Sequence, residues 1–144
     1  MIVVDASVVL ASCLPSEIAH LSAESALRFW IAHNEILCAP PLLHAEVTAV
    51  LRKLVYTQRL ERESADQLLQ LALLLPIQII DDTSIYARSL TLAHQFGQPR
   101  AYDTQYLAVA ELFNGVLWTA DERFVRTVTP TYTNVFDINT FVVA

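Results

Sequence analysis

Short apolar runs alternate along the chain with longer stretches in which apolar residues recur every three or four positions. Continuous apolar runs of about four residues are typical of buried strands. They lie at residues 1–4 and 36–39, and further short strands are expected at 77–80, 116–119 and 135–137. Apolar residues that recur with the helical period predict amphipathic helices. These helices are expected at residues 7–14, 22–34, 42–58, 63–74, 83–96, 102–113 and 121–128.

The alternation of strands and helices predicts an α/β fold. Because each strand is followed by a helix, the expected architecture is a three-layer α/β/α sandwich with a mainly parallel central sheet. The chain has only two glycines, Gly97 and Gly115, and each stands where a helical pattern stops. With no linker or repeat, residues 1–144 are interpreted as a single domain. Ligands of such folds bind beyond the carboxyl ends of the strands, so side chains at that edge are the first candidates for a site.

The composition is apolar for a protein of this size. Hydrophobic residues make up 54% of the 144 positions, and the mean hydropathy is +0.41. The most apolar stretch, residues 68–80, is interrupted by Gln70, Pro76 and Gln78, and it is shorter than the ~20 residues of a membrane-spanning helix. The first ten residues lack the basic start of a secretory signal. We therefore expect no membrane association, a cytoplasmic location, and an interface that covers the excess apolar surface.

Charge and cysteine content narrow the chemistry further. The net charge of −6 disfavours a protein that binds nucleic acid through bulk electrostatics. Such binding would have to rest on bound cations and on arginines near the site. Cys13 and Cys38 have no zinc-type spacing, and the four histidines are scattered. A zinc site is therefore not expected.

Four acidic residues stand where a site would form. Asp5 follows the first predicted strand and Asp121 follows the fourth, Asp103 begins a helix, and Glu46 lies in the first turns of the helix after Pro41. Taken singly, each could be a turn former, a helix cap or a surface acid. If they cluster, their charges repel unless cations occupy the site. Oxygen ligands without Cys or His select hard ions, which favours Mg²⁺ or Mn²⁺.

Four sequence motifs in order resemble one family. They are VVDASVVL at the start, LLHAEVTAVLRK around Glu46, YDTQYLAVAE from Tyr102, and LWTADERF near the end. Together they resemble the PIN-domain nucleases, and among these the VapC toxins of bacterial toxin–antitoxin pairs. The similarity runs over essentially the whole chain and implies a PIN-like fold.

The resemblance implies roles for particular residues. The catalytic and metal-binding acids would be Asp5, Glu46, Asp103 and Asp121. The hydroxyls of Ser7 and Thr119 would hydrogen-bond these carboxylates and fix their orientation. The basic residues expected to bind substrate are Lys53, Arg100, Arg123 and Arg126. The role of Glu111, eight residues after Asp103 on the same predicted helix, stays open: it would orient a ligand or be exposed.

The resemblance also implies a function. The chain would be an endoribonuclease that depends on Mg²⁺ or Mn²⁺ and hydrolyses RNA phosphodiester bonds. It would be the toxin of a toxin–antitoxin pair, a homodimer, and the target of a cognate antitoxin protein. The sequence leaves open the RNA target, the cleavage position and whether one or two metal ions bind.

Two alternatives compete with this interpretation. One is a PIN scaffold without catalytic activity that serves only as a binding module. The other is a phosphoryl-transfer receiver or phosphatase, suggested by Asp81 and Asp82 after the third strand. A receiver requires a lysine at a late strand end, but the only lysine, Lys53, lies inside a helix. A phosphatase of the haloacid type requires Asp-x-Asp, whereas Ser7 stands two places after Asp5.

Overall fold

Every strand and helix predicted from the sequence is present in the computed structural model, which describes residues 1–143. The strands are β1 Ile2–Val4, β2 Leu37–Ala39, β3 Ile77–Ile79, β4 Val116–Thr119 and β5 Val135–Asp137. The helices are α1 Ala6–Cys13, α2 His20–Ala32, α3 Leu42–Tyr56, α4 Arg62–Leu74, α5 Ser84–Gln95, α6 Asp103–Leu112 and α7 Glu122–Val128. A 3₁₀ turn, Ile138–Thr140, was not predicted.

The five strands form one sheet in the order β3-β2-β1-β4-β5. Every pairing is parallel, as expected for strands joined by helices. Val4 of β1 stands opposite Trp118 of β4, and the Asp5 amide donates a hydrogen bond to the Trp118 carbonyl over 3.1 Å. The carboxyl ends of β1 and β4 therefore lie side by side at the centre of the sheet.

The helices cover the sheet in two groups. Helix α1 packs against α2, α3 and α4, whereas α5 packs chiefly against α6, which also contacts β1 and β4. All residues of β1 and β2 are buried, as strands covered on both faces must be. The predicted three-layer α/β/α sandwich is confirmed. No helix among residues 1–143 combines the length and apolar character needed to cross a membrane.

Each of the two glycines stands where another residue would be strained or would clash. Gly97, which follows α5, has a φ of +61°, in the left-handed region that other residues adopt at a cost. A Cβ on Gly115 would lie 3.0 Å from Cγ2 of Val3. The absence of a side chain at Gly115 lets the connection from α6 to β4 pass close to β1.

Aromatic packing secures the end of β4. The ring of Trp118 lies 5.8 Å from that of Trp30, 5.1 Å from Phe136 and 5.6 Å from Phe141. Stacked and edge-to-face rings add stability beyond their buried area. This packing holds β4 in place immediately before Thr119 and Asp121.

Candidate active site

Asp5 lies at the centre of the acidic edge of the sheet. It follows β1 directly, and only 6% of its surface is exposed. Its Oδ2 accepts hydrogen bonds from Ser7 Oγ over 2.5 Å and from Thr119 Oγ1 over 2.6 Å. Burial raises the pKa of Asp5 although both hydrogen bonds act to lower it, and the charge of Asp121 adds to the rise. The two hydroxyls fix the carboxylate in one orientation.

Glu46 approaches from the second turn of α3 and is held by a tyrosine. Tyr106, which is buried in α6, donates a hydrogen bond from its hydroxyl to Glu46 Oε1 over 2.7 Å. Burial raises the pKa of Glu46, and the charge of Asp5 raises it further. The pKa of Tyr106 is raised by burial and by both acids, so its hydroxyl stays a donor at physiological pH. Tyr106 was not predicted from the sequence, although its position three residues after Asp103 places both on one helix face.

Asp103 is the first residue of α6 and interacts with all three other acids. Burial raises its pKa from 3.8 to about 7, with further contributions from the charges of Asp5, Asp121 and Glu46. Charges act on one another in this way over short distances, and side chains link the acids in pairs: Tyr106 of α6 holds Glu46, and Thr119 contacts both Asp5 and Asp121. The four predicted acids therefore lie together, although they come from four separate parts of the chain.

Asp121 stands at the N-terminus of α7. Its Oδ1 accepts a hydrogen bond from the Phe124 amide over 2.9 Å, which caps the helix. Its own amide donates to Thr119 Oγ1 over 3.1 Å. Within residues 1–143 its second carboxylate oxygen has no hydrogen-bond donor, so that oxygen is available to a ligand.

The cluster has no protein cation to balance it. Among residues 1–143, no lysine or arginine nitrogen lies within 4.0 Å of the four carboxylates. Asp5 is buried, Glu46 and Asp103 are half-buried, and Asp121 is exposed. Clustered carboxylates without a counter-charge, together with an all-oxygen donor set, fit a hard divalent cation. In the same residues, no three acidic, histidine or cysteine side chains converge closely enough to hold one ion as they stand. Ser7 and Thr119 hold Asp5, and Tyr106 holds Glu46, in these positions. A cation bound by three or more of the acids would require them to move closer together.

Three depressions in the surface adjoin the acids. The smallest, of about 280 Å³, contains Ser7 and Asp121, and each of the other two contains an arginine. One, of about 380 Å³, contains Glu46, Asp103 and Arg100. The other, of about 330 Å³, contains Asp121 and Arg123. Both are bounded by Gln98 and Pro99 of the loop between α5 and α6.

The four predicted substrate-binding residues differ in their placement. Arg100 and Arg123 line two of the depressions beside the acids, whereas Lys53 and Arg126 line none of the three. Lys53 is exposed in the last turn of α3. Arg126 lies 3.4 Å from Glu122 in an exposed ion pair on α7.

Glu111 is engaged away from the acidic cluster. Its carboxylate accepts hydrogen bonds from Arg88 Nε over 2.5 Å, from Arg88 Nη2 over 2.7 Å and from the Tyr132 hydroxyl over 3.0 Å. The hydrogen bonds from Arg88 lower the pKa of Glu111. Glu111 thus neither orients another acid nor faces solvent freely. It joins α5 and α6 to the segment after α7.

Comparison with known families agrees with this geometry. The sequence model of the PIN domain matches residues 3–135. The chain therefore belongs to the PIN domain family, whose members are generally nucleases that use divalent metal ions. This assignment sets aside the receiver and phosphatase alternatives. Asp82 instead accepts hydrogen bonds from the backbone and side chain of Ser84 at the start of α5.

Solved structures share the fold at low sequence identity. PAE2754 from Pyrobaculum aerophilum is 24% identical with a TM-score of 0.71, over 96% of this chain and 90% of that one. VapBC2 from Rickettsia felis, bound to a DNA fragment from its promoter, is 17% identical with a TM-score of 0.68, over 95% and 98%. A toxin–antitoxin complex from Klebsiella pneumoniae is 18% identical with a TM-score of 0.62, over 96% and 98%. No curated protein sequence matches the chain.

Proposed function

We propose that this protein is a metal-dependent endoribonuclease in which Asp5, Glu46, Asp103 and Asp121 hold Mg²⁺ or Mn²⁺. The observation that carries the proposal is that four acids from separate parts of the chain lie at one edge of the sheet, where Ser7 and Thr119 hold Asp5 and Tyr106 holds Glu46. Asp103 interacts with all three others, and its pKa is raised to about 7. Such a cluster opposes folding unless a ligand uses it. A divalent cation is the ligand that its oxygen donors favour.

The chain's own residues would position the reactants. Ser7 and Thr119 hold the Asp5 carboxylate, and Tyr106 leaves one oxygen of Glu46 free. A bound cation supplies positive charge for the phosphodiester and promotes ionisation of the attacking water. Arg100 and Arg123 would contact phosphates on either side of the cluster. Single-stranded RNA suits an open cleft of this kind better than a duplex does.

The first prediction is that catalysis depends on metal. Purified protein should cleave single-stranded RNA with millimolar Mg²⁺ or Mn²⁺ and should stop when EDTA is added, because the acids alone supply no positive charge to the phosphodiester. Cleavage would be followed by gel electrophoresis of an end-labelled oligonucleotide. Full activity in excess chelator would rule out the mechanism.

The alternative, a PIN scaffold that only binds, is favoured by one observation. No three metal-ligating side chains among residues 1–143 converge on a single point. If that spacing persists in solution, the protein would bind metal weakly and cleave nothing. RNA that stays intact across a titration of Mn²⁺ would support this alternative over the ribonuclease.

A second prediction follows from the proposal that the chain is the toxin of a toxin–antitoxin pair. The motif resemblance and the fold shared with toxin–antitoxin complexes support it. Expression of the chain alone should slow growth, and Asp5→Asn should relieve that effect. The cognate antitoxin would be a protein that covers the acidic cleft, and its co-expression should restore growth. Equal toxicity of the Asn variant would show that the site is not responsible. Because the proposed substrate is cellular RNA, we expect the protein in the cytoplasm, which cell fractionation would test.

A third prediction is a homodimer. Helices α3, α4 and α5 are the candidate surfaces, and they expose Leu71, Leu74 and Leu90. Apolar side chains so exposed favour association. Light scattering at micromolar concentration should give the mass of a dimer, and Leu74→Glu or Leu90→Glu should shift it to a monomer. Ile18→Glu, on an exposed loop outside these helices, is the control. A monomeric mass for the unmodified chain would contradict the prediction.

A further inference from the structure

The depression that contains Arg100 and the one that contains Arg123 offer different surfaces to a ligand. The depression with Glu46 and Asp103 contains Tyr102, 48% of whose surface is exposed. In the other depression, Phe124 is buried. Phe96, also there, packs against Tyr132 with 5.9 Å between ring centres. Of these two depressions, only the first therefore presents a half-exposed aromatic ring beside the acidic cluster.

Nothing in the fold accounts for the side chain of Tyr102. Within residues 1–143 its hydroxyl makes no hydrogen bond and its ring pairs with no other aromatic ring. It occupies the N-cap position of α6, but its side chain caps nothing. Its backbone is held, since the Tyr102 carbonyl accepts a hydrogen bond from the Gln105 amide over 2.9 Å. The start of the helix thus fixes the backbone of Tyr102 next to Asp103, while no hydrogen bond within residues 1–143 holds its side chain.

The surroundings of Tyr102 match a site for a nucleotide. The depression has a volume of about 380 Å³, within the range of pockets that hold small ligands. Arg100 supplies a positive charge for a phosphate, and Pro99 adds apolar surface. Proteins that bind single-stranded nucleic acid commonly stack an aromatic ring on a base and pair a basic side chain with the backbone.

We infer that this depression is a nucleobase subsite, in which Tyr102 stacks on the base of a nucleotide next to the scissile phosphate. The inference rests on the proposed cleavage of single-stranded RNA. The second depression presents no exposed ring. The enzyme therefore requires a base, of any identity, on one side of the cleaved bond and tolerates its absence on the other. Arg100 holds the backbone of the stacked nucleotide.

The test combines changes in the protein with changes in the RNA. Native protein, Tyr102→Ala and Tyr102→Phe would cleave oligonucleotides that carry one abasic nucleotide at each position near the cleaved bond. For native protein, loss of the base at one adjacent position should lower kcat/KM roughly 5- to 100-fold, the range for one stacked base. On intact RNA, Tyr102→Ala should have a kcat/KM lower than that of native protein by the same factor, mainly through a higher KM. Removing the base as well should not lower the kcat/KM of this variant further. Tyr102→Phe should behave as native, because its ring still stacks.

Two controls separate stacking from other effects. Tyr56→Ala removes a ring that is 76% exposed at the far end of α3, about 15 Å along the helix from Glu46, and should cleave as native. Binding of the labelled oligonucleotides would also be measured by fluorescence anisotropy in an Asp5→Asn background. In the Asp5→Asn background, adding Tyr102→Ala should weaken binding of intact RNA by the factor by which it lowers kcat/KM in the cleavage assay. Binding of the abasic RNA should not change.

The outcomes distinguish this inference from the proposed ribonuclease. If native protein cleaves RNA and Tyr102→Ala keeps the full sensitivity to the abasic position, the subsite is overturned. Unchanged RNA cleavage together with lost affinity for a partner protein would overturn it too, and would assign the ring to a protein interface. If no RNA is cleaved but binding still depends on Tyr102 and on one base, the stacking site stands and the ribonuclease fails.

Discussion

Asp5→Asn should reduce RNA cleavage by about 100- to 1,000-fold at a fixed Mn²⁺ concentration. Asp5 is the most buried of the four acids. Its replacement by Asn removes one full negative charge from the side chains proposed to hold the cation. Loss of several kcal/mol of electrostatic stabilisation corresponds to a rate effect of this size. Asn has the same shape, and the hydroxyls of Ser7 and Thr119 can rotate to accept from its amide. The fold should therefore persist, and the melting temperature in EDTA should not fall.

The measurement is kcat/KM on a single-stranded oligonucleotide over a range of Mn²⁺ concentrations. Because a weakened site binds its ion less tightly, higher Mn²⁺ should restore part of the activity. Glu111→Gln is the matched control, since it also removes a carboxylate charge but breaks only the contact with Arg88 and Tyr132. It should lower the free energy of unfolding by about 1–3 kcal/mol and leave kcat/KM nearly unchanged below its melting temperature. Equal losses of activity in both variants would indicate unfolding instead of loss of a ligand.

Asp103→Asn should stabilise the metal-free protein at pH 8. In the folded state the pKa of Asp103 is raised from 3.8 to about 7 by burial and by three neighbouring acids. Between these two pKa values the folded protein binds more protons than the unfolded chain, so its stability falls as pH rises from about 4 to 7. A shift of this size corresponds to up to about 4 kcal/mol, and with solvent screening we expect roughly 2 kcal/mol. The Asn variant lacks this penalty, so its advantage should be large at pH 8 and small at pH 4.

Metal should reverse the order of stability. Native protein gains free energy by binding linkage, about 2.7 kcal/mol when the free ion is at a hundredfold excess over Kd. The variant lacks one ligand and should gain much less. Melting temperatures of both proteins would be measured in EDTA and in millimolar Mn²⁺, at pH 5 and pH 8. If Asp103 only caps α6, Asn would serve as well, and both proteins would respond alike to pH and to metal. That result would remove Asp103 from the site.

The order and type of the elements were predictable from the sequence because they depend on local patterns. An apolar run such as that before Asp5 suits a buried strand wherever it pairs, and a repeat of three to four residues gives a helix one apolar face. The same patterns place Asp5 and Asp121 after strands and Asp103 at a helix start. Oxygen chemistry then suggested a hard cation before any distance was known. The motif resemblance added Glu46, which no local pattern separates from a surface acid.

Contacts between distant segments could not be predicted in the same way. Whether Asp5 and Asp121 meet depends on β1 lying beside β4, and this pairing joins segments more than 110 residues apart. Tyr106 supports Glu46 across 60 residues of sequence. Glu111 is turned away from the cluster because Arg88, 23 residues earlier, offers it a paired hydrogen bond. Each of these outcomes depends on which helices pack together.

The basic residues likewise separate what the sequence predicts from what only the tertiary structure decides. The sequence presents Lys53, Arg100, Arg123 and Arg126 as equivalent surface cations, because charge alone carries no information about position. The tertiary structure brings Arg100 and Arg123 to two depressions beside the acids and leaves the other two outside them. The sequence by itself determined the class of fold and the kind of ion that the acids favour. The packing of α3, α5, α6 and α7 around the end of β1 decided which side chains share the site, since only packing sets distances between residues far apart in the chain.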